Sequence, residues 1–344
     1  MNGVLQQVEW ESCLVEPFPD PALQSYVRRR WGIPNPMITY FASVPWLARA
    51  VIDLHPEYGL LMHLDQAVAD LVVLVVSQEN SCRFCYAAVR GLLWAQGMSW
   101  TRIQRMEQDL TRADLPPRTM AAVAFGRSQS RSGPAGARAA RETLRRSGLG
   151  VDEMKEIAFT AALTDFHNRA HTIPAIPAYP IESMPDRLYV RLLRPLLGLI
   201  VKRHRYRGQP TVLDPVPPHA YGRLVETYAG SPIGAILART LAEMWASPHL
   251  TRRCKLLMIA VTARGLGCEV CAPEVSEALR REGLKESTLA QVLTHLDAPE
   301  LDARFVLMPK SAEFVKGIAE PVVTYAVREG PSAAAPSAEE AGGR

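Results

Sequence analysis

The chain has 344 residues, 48% of them hydrophobic and 22% charged, with a formal net charge of +4; this is enough apolar material for a large core and enough length for about two domains. A net charge this small does not point to nucleic acid, nor does any interleaving of basic and aromatic residues, so no nucleic-acid partner is expected. The opening MNGVLQQVEWESC is not a basic-then-apolar leader, and apolar runs such as Leu71 to Val76 fall far short of the roughly 18 residues a membrane span needs, which predicts a cytoplasmic protein.

Residues 1–36 read as a proline-rich, polar extension whose one helix-forming stretch is Ala22 to Trp31. From Met37 the pattern turns helical. Apolar residues recur at spacings of three and four through Trp46, Leu47, Ala50, Val51 and Leu54, and again through Ala121, Ala122, Val123 and Phe125. Ala137 to Arg146 predicts a helix stopped by Gly148, and Val151 to Ala170 a long helix ended before Pro174. LVVLVV reads locally as a strand. Its counterpart in the second half, LLMIAVTA, is a better helix sequence, and the repeat decides for helix in both. The fold class predicted is all-α, with residues 37–178 as a first lobe.

Residues 179–214 form a linker rich in proline and arginine, with RLYVRLLRPLLGLIVKRHRYR at its centre. Basic residues beside leucines suit a membrane surface. The alternative, preferred here, is a connecting helix pair broken near Pro195 and Gly198, whose apolar side packs between the lobes while the arginines stay wet; no membrane-surface partner is then expected. A second lobe spans 215–327, where PVPPHAYGRLVETYAGSP loosely echoes PFPDPALQSYVRRRWGIP, and the tail 328–344 has almost nothing to bury and is expected to be disordered.

Definite chemistry enters through two Cys-x-x-Cys pairs, Cys82/Cys85 and Cys268/Cys271, each following an apolar segment and opening a helical one, with Gly97 and Gly283 both twelve residues after the second cysteine. Such agreement suggests a duplicated unit. In a reducing compartment a pair at this spacing is more often catalytic or metal-binding than a structural staple, while Cys13 and Cys254 lack close sequence partners and read as bystanders. Ser81 is a good amino-terminal cap, which would place Cys82 and Cys85 on one face of the first turn and a half of a helix. There they can close a disulfide, and the positive helix end favours a thiolate. Arg83 and Arg90 are expected to add to that field. The second pair, with Glu269 between its thiols, Gly267 before them and Pro273 after, should be less activated.

These residues resemble the AhpD-like alkylhydroperoxidase branch of the carboxymuconolactone decarboxylase superfamily, whose hallmark is a glutamate on one helix, a turn, then Cys-x-x-Cys opening the next helix with a histidine four residues later. The glutamate position falls on Asp70 and the histidine position on Val89; in the second unit the same positions are Leu256 and Val275. The resemblance covers roughly residues 40–175, including FHNRAHTIPAIP, and more weakly 220–310. It implies a helical bundle duplicated into two lobes, a thiol-disulfide cycle that reduces peroxides or a partner disulfide with an external thiol reductant, and assembly into trimers or hexamers. Cys82, Cys85 and Asp70 are then the catalytic set, and Cys268 with Cys271 a second redox pair. Because Val89 cannot relay protons, Tyr86, Glu79, His63 and His167 are the possible substitutes, each of which also has a plainer structural role. No cofactor and no metal is expected from this reading. Two alternatives stand beside it: a non-catalytic or redox-sensing protein on the same fold, and a zinc protein in which all four thiolates hold one ion.

Overall fold

The computed structural model describes residues 5, 9–10, 12–32, 35–55, 63–129, 134–179, 188–205, 225–226, 228, 232–265, 268–295, 305–313 and 322–329. The chain divides into two compact units, Met1–Ala246 and Ser247–Arg344. In the first, helices α1 (Pro21–Trp31), α2 (Pro45–Leu54), α3 (Gln66–Glu79), α4 (Arg83–Ala95), α5 (Trp100–Gln108), α6 (Pro117–Gln129), α7 (Pro134–Arg146) and α8 (Val151–Thr172) are followed by α9 (Leu188–Leu192), α10 (Arg194–Arg205) and α11 (Pro232–Ala246). The second holds α12 (Arg252–Gly265), α13 (Cys271–Arg281) and α14 (Glu286–His295). The fold is all-α. An antiparallel hairpin, β1 (Phe305–Glu313) with β2 (Val322–Glu329), follows the last helix, and its register slips between Pro309 and Ser311, where proline has no N–H to give the ladder. The sequence reading did not anticipate this hairpin; residues 330–344 of the expected tail lie outside the described residues.

The starts and stops are set by local chemistry. Asp20 caps α1 by accepting from the Leu23 amide at 2.9 Å, proline opens the helix, and Gly32 closes it at φ 77°. Asp65 caps α3 and Ser99 caps α5, while Glu153 reaches back to the Gly150 amide at 2.9 Å to start α8. The valine-rich stretch is helical: α3 is the central element of the first unit, packed against α4, α6 and α8, with Val72, Val75 and Val76 buried on all sides. Burial around its whole circumference explains why α3 lacks the polar stripe that marks a surface helix. Gly126 of α6 lets that helix approach closely, since a Cβ there would lie 2.6 Å from a Val72 methyl.

A second junction is ionic. Asp53, fully buried at the end of α2, accepts from Tyr26 Oη at 2.5 Å and Arg30 Nε at 3.0 Å on α1, and pairs with Arg239 on α11. Burial and the Asp53 hydrogen bond push the Tyr26 phenol up to about 12, so it remains a donor. Residues 232–246, assigned from sequence to the second lobe, thus pack on α2 within the first compact unit. Asp53→Asn is expected to destabilise the protein by about 3–5 kcal/mol, because it strands two partly buried guanidiniums. Glu243→Gln, at a more exposed partner of Arg49, should cost less than about 1 kcal/mol. Urea denaturation of both variants checks the contrast.

Candidate functional site

The α3–α4 turn carries the first cysteine pair. Helix α3 ends at Glu79, Ser81 takes the left-handed conformation at φ 50°, and the Cys82 amide turns back to the Ser77 carbonyl at 2.9 Å. Ser81 is therefore not the cap that its type suggested. Cys82 itself is the N-cap of α4, its sulfur accepting from the Cys85 amide at 3.4 Å, and Cys85 sits in the first helical turn. Cys82 is 1% exposed, whereas Cys85 is only half-buried.

The two sulfurs are electrostatically unequal. Burial alone raises the Cys82 thiol, but hydrogen bonds from the Cys85 side chain, the Cys85 and Phe84 amides and the Thr172 hydroxyl overcome it and bring the group below its ordinary value. Cys85 is pushed well above its ordinary value by its bond to Cys82, by burial and by the neighbouring negative charge. Of the pair, Cys82 is thus the first to give up its proton and Cys85 the one to keep it.

The end of α8 closes over this pair. Thr172 and His171 lie in its last turn, and the buried Thr172 hydroxyl acts on Cys82 without closing a hydrogen bond of ordinary geometry. His171 Nδ1 is 3.9 Å from Cys85 Sγ and 2.6 Å from the His167 carbonyl oxygen. A carbonyl can only accept, so Nδ1 carries the proton and offers the edge of the same N–H to Cys85. The ring is stacked on Phe84 with centroids 4.1 Å apart and meets Phe41 edge-on at 5.0 Å. This burial lowers His171 to about 4, so it is a neutral donor near pH 7.

Other expected residues are placed elsewhere. Asp70 is fully buried, accepting from Gln96 Nε2 at 2.9 Å and Gln66 Nε2 at 3.4 Å; it lies nine residues, about 14 Å of helix, before the end of α3. It is held at the far end of the α3–α4 hairpin, near Gln96 rather than level with Val89, and Val89 is core packing. Arg83 donates to the carbonyls of Ala175 at 2.5 Å and Ile176 at 2.9 Å, and Arg90 is neutralised in a buried pair with Glu107 at 2.6 Å beside Tyr86. Neither arginine is spent on the thiols. Glu79 pairs with Arg127 on α6, the exposed His63 gives its backbone amide to Glu156, and His167 lies buried between His55 and His171.

No family model and no curated protein matches the chain. Among solved structures, the debrominase Bmp8 is similar in its apo form, at 17% identity and TM-score 0.42 over 54% of this chain and 97% of that one. A cysteine-to-alanine variant of Bmp8 in complex with 2,3,4-tribromopyrrole gives 17% identity and TM-score 0.43 over 51% and 96%.

The second pair repeats the local backbone. The Cys268 amide reaches the Ala263 carbonyl at 2.8 Å and the Cys271 amide meets Cys268 Sγ at 3.1 Å, as in the first pair; Gly97 and Gly283 both take positive φ at the end of the following helix. Cys268 and Cys271 are joined in a disulfide, while Cys82 and Cys85 are free thiols. Leu256 and Val275, like Val89, are buried apolar residues. Among the described residues no group of three or more His, Cys, Asp and Glu side chains is placed to hold a metal ion.

His171 and Thr172 escaped the sequence reading because the helix was ended at Ala170; the i, i+4 spacing of His167 and His171 was the available signal. Because His171 is neutral when buried but ordinary when unfolded, its contribution to stability is complete above about pH 6.5 and is lost as pH falls toward 4. The loss should amount to roughly 3 kcal/mol. Urea midpoints across that window should fall in wild type and fall less steeply in His171→Gln.

Proposed function

We propose that the chain is a dithiol-disulfide oxidoreductase that reduces small hydroperoxides through Cys82 and Cys85. The observation that supports this best is the inequality of the two sulfurs, Cys82 at the helix start with the Cys85 amide on its sulfur and its acidity raised, beside Cys85 with its acidity lowered. Cys82 thiolate attacks a peroxide oxygen and the O–O bond breaks; Cys85 gives its proton to the departing alkoxide, leaving a sulfenic acid on Cys82. The resulting Cys85 thiolate, steadied by the His171 N–H, attacks the sulfenic sulfur and releases hydroxide, which is protonated to water. The sum is one hydroperoxide and two thiols converted to an alcohol, water and a disulfide.

Return to the dithiol needs an external thiol reductant. Cys82 is the more acidic of the two and so the better leaving group, which favours attack by the reductant on Cys85 with expulsion of Cys82 thiolate. The near-complete burial of Cys82 restricts the oxidant to small molecules. On this reading the chain stands with the AhpD-like oxidoreductases, its second unit a divergent copy, and works as a homo-oligomer. Asp70 positions Gln96 and α4 rather than touching substrate.

A second reading, a redox sensor without turnover, is favoured by the core packing of Val89 where the resemblance calls for a relay histidine. The zinc reading needs four thiolates, and two of these sulfurs are bonded to each other.

Consumption of hydrogen peroxide with a small dithiol as reductant tests the proposal. Turnover should vanish in Cys82→Ser and in Cys85→Ser and persist largely in Cys271→Ser. Wild type that forms the Cys82–Cys85 disulfide once but never turns over would leave the sensor; equal losses in all three variants would overturn the assignment to the first pair.

A further inference from the structure

Phe84, the second residue between the cysteines of the first pair, is the plate on which His171 rests. The two rings are stacked, 9° from parallel with centroids 4.1 Å apart, and Phe41 meets the imidazole edge-on at 5.0 Å. Phe84 is itself buried and is met edge-on by Tyr179 at 5.4 Å. An imidazole can turn broadly about its terminal side-chain torsion. The bond from Nδ1 to the His167 carbonyl at 2.6 Å fixes one edge of the ring but not its plane. Stacking on Phe84 fixes the plane, and in that plane the Nδ1 edge stands 3.9 Å from Cys85 Sγ. Phe84 and Cys85 are consecutive in the first turn of α4, so the plate and the sulfur move together.

The second pair offers an internal comparison. Its turn has the same main-chain bonds, but the residue in the place of Phe84 is Val270, 58% exposed, and a branched aliphatic side chain has no flat face. The stack on His171 is thus a feature of the first pair that the shared turn does not require.

Resting on the oxidoreductase reading, we propose that Phe84 is a positioning residue for the second chemical step, closure of the disulfide. In that step the Cys85 thiolate attacks the sulfenic sulfur of Cys82; the S–S bond forms, the S–O bond breaks, and the departing hydroxide takes a proton from solvent to become water. Cys85 carries charge from the loss of its proton until that bond is made. A hydrogen bond to the charged form favours it. The His171 N–H faces the sulfur throughout this interval, and Phe84 keeps it there. Phe84 touches neither the peroxide nor a reacting atom. Its amide bond to Cys82 belongs to the main chain and survives substitution of the ring, so removing the ring should spare the first step and slow the second.

Mixing the reduced full chain with hydrogen peroxide, followed by acid quench and mass spectrometry, counts the Cys82 sulfenic acid and the Cys82–Cys85 disulfide separately. Wild type should pass to disulfide with little sulfenic acid accumulating. Phe84→Leu should form sulfenic acid at near the wild-type rate and close the disulfide about tenfold or more slowly, within the range that a displaced group costs. His171→Phe, which keeps the stack but removes the N–H, should show the same delay, and Phe84→Tyr, which keeps the flat ring, should restore closure. Closure at the wild-type rate in Phe84→Leu overturns the proposal, as does a delay in Phe84→Leu with none in His171→Phe. A wild type that forms neither species overturns the oxidoreductase reading together with it. Nitrogen NMR of His171 in the wild-type chain tests the geometry without any substitution: the proton belongs on Nδ1, and a proton found on Nε2 instead would remove the donor from Cys85 and overturn the assignment.

Discussion

The chemistry of the first unit depends on how Arg83 holds the end of α8. Its guanidinium takes the carbonyls of Ala175 and Ile176, just beyond the helix, and so folds that segment onto the start of α4. The guanidinium also lies 5.3 Å from the Trp10 ring centre, bringing the amino-terminal segment into the same corner. The clamp adds to the packing of α8 on α3 and α4 and to the stacking of His171 on Phe84, which together keep its last turn over the thiols. A residue adjacent to Cys82 in sequence thus governs the pair indirectly, through hydrogen bonds to neutral carbonyls, and not by lending its charge to a sulfur.

What this costs is visible along α8. Thr160, Thr164, His167, Asn168 and His171 are all buried, an uncommon density of polar groups on one core helix. Several are satisfied locally, as Thr164 is by the Thr160 carbonyl at 2.7 Å, or across to α3, as Asn168 is by Ser77 at 3.2 Å. Such a stripe is poor packing material compared with leucine or valine. Its presence beside the cysteine pair, in a core otherwise built from aliphatic and aromatic side chains, fits a helix retained for a polar task.

Much of the helical frame was legible in the sequence because it rests on local signals. Gly148 bounds α7, the repeat and the apolar density of α3 outvoted its valines, and the cysteine spacing marked a helix start. The candidate site was legible only as far as its two sulfurs. Ser81 has the chemistry of a cap, yet the turn bends through it and makes Cys82 the cap. Asp70 stands out as the carboxylate position of the resemblance, but nothing local announces Gln66 and Gln96, which hold it. His171 comes from a helix nearly ninety residues away in sequence, and no local pattern says which of several histidines a distant turn will meet.

The turn shared by the two cysteine pairs separates backbone form from side-chain chemistry. In both, the first cysteine's amide reaches back five residues to the preceding helix and a positive-φ glycine closes the following one. Yet in the first unit His171 and Thr172 are added to that frame. A backbone scaffold of this kind can persist while its side-chain surroundings are gained or lost, because the turn is held by main-chain bonds indifferent to what lies above it. Two cysteines three residues apart therefore define the turn alone, and the helix that covers them decides what chemistry the turn can carry.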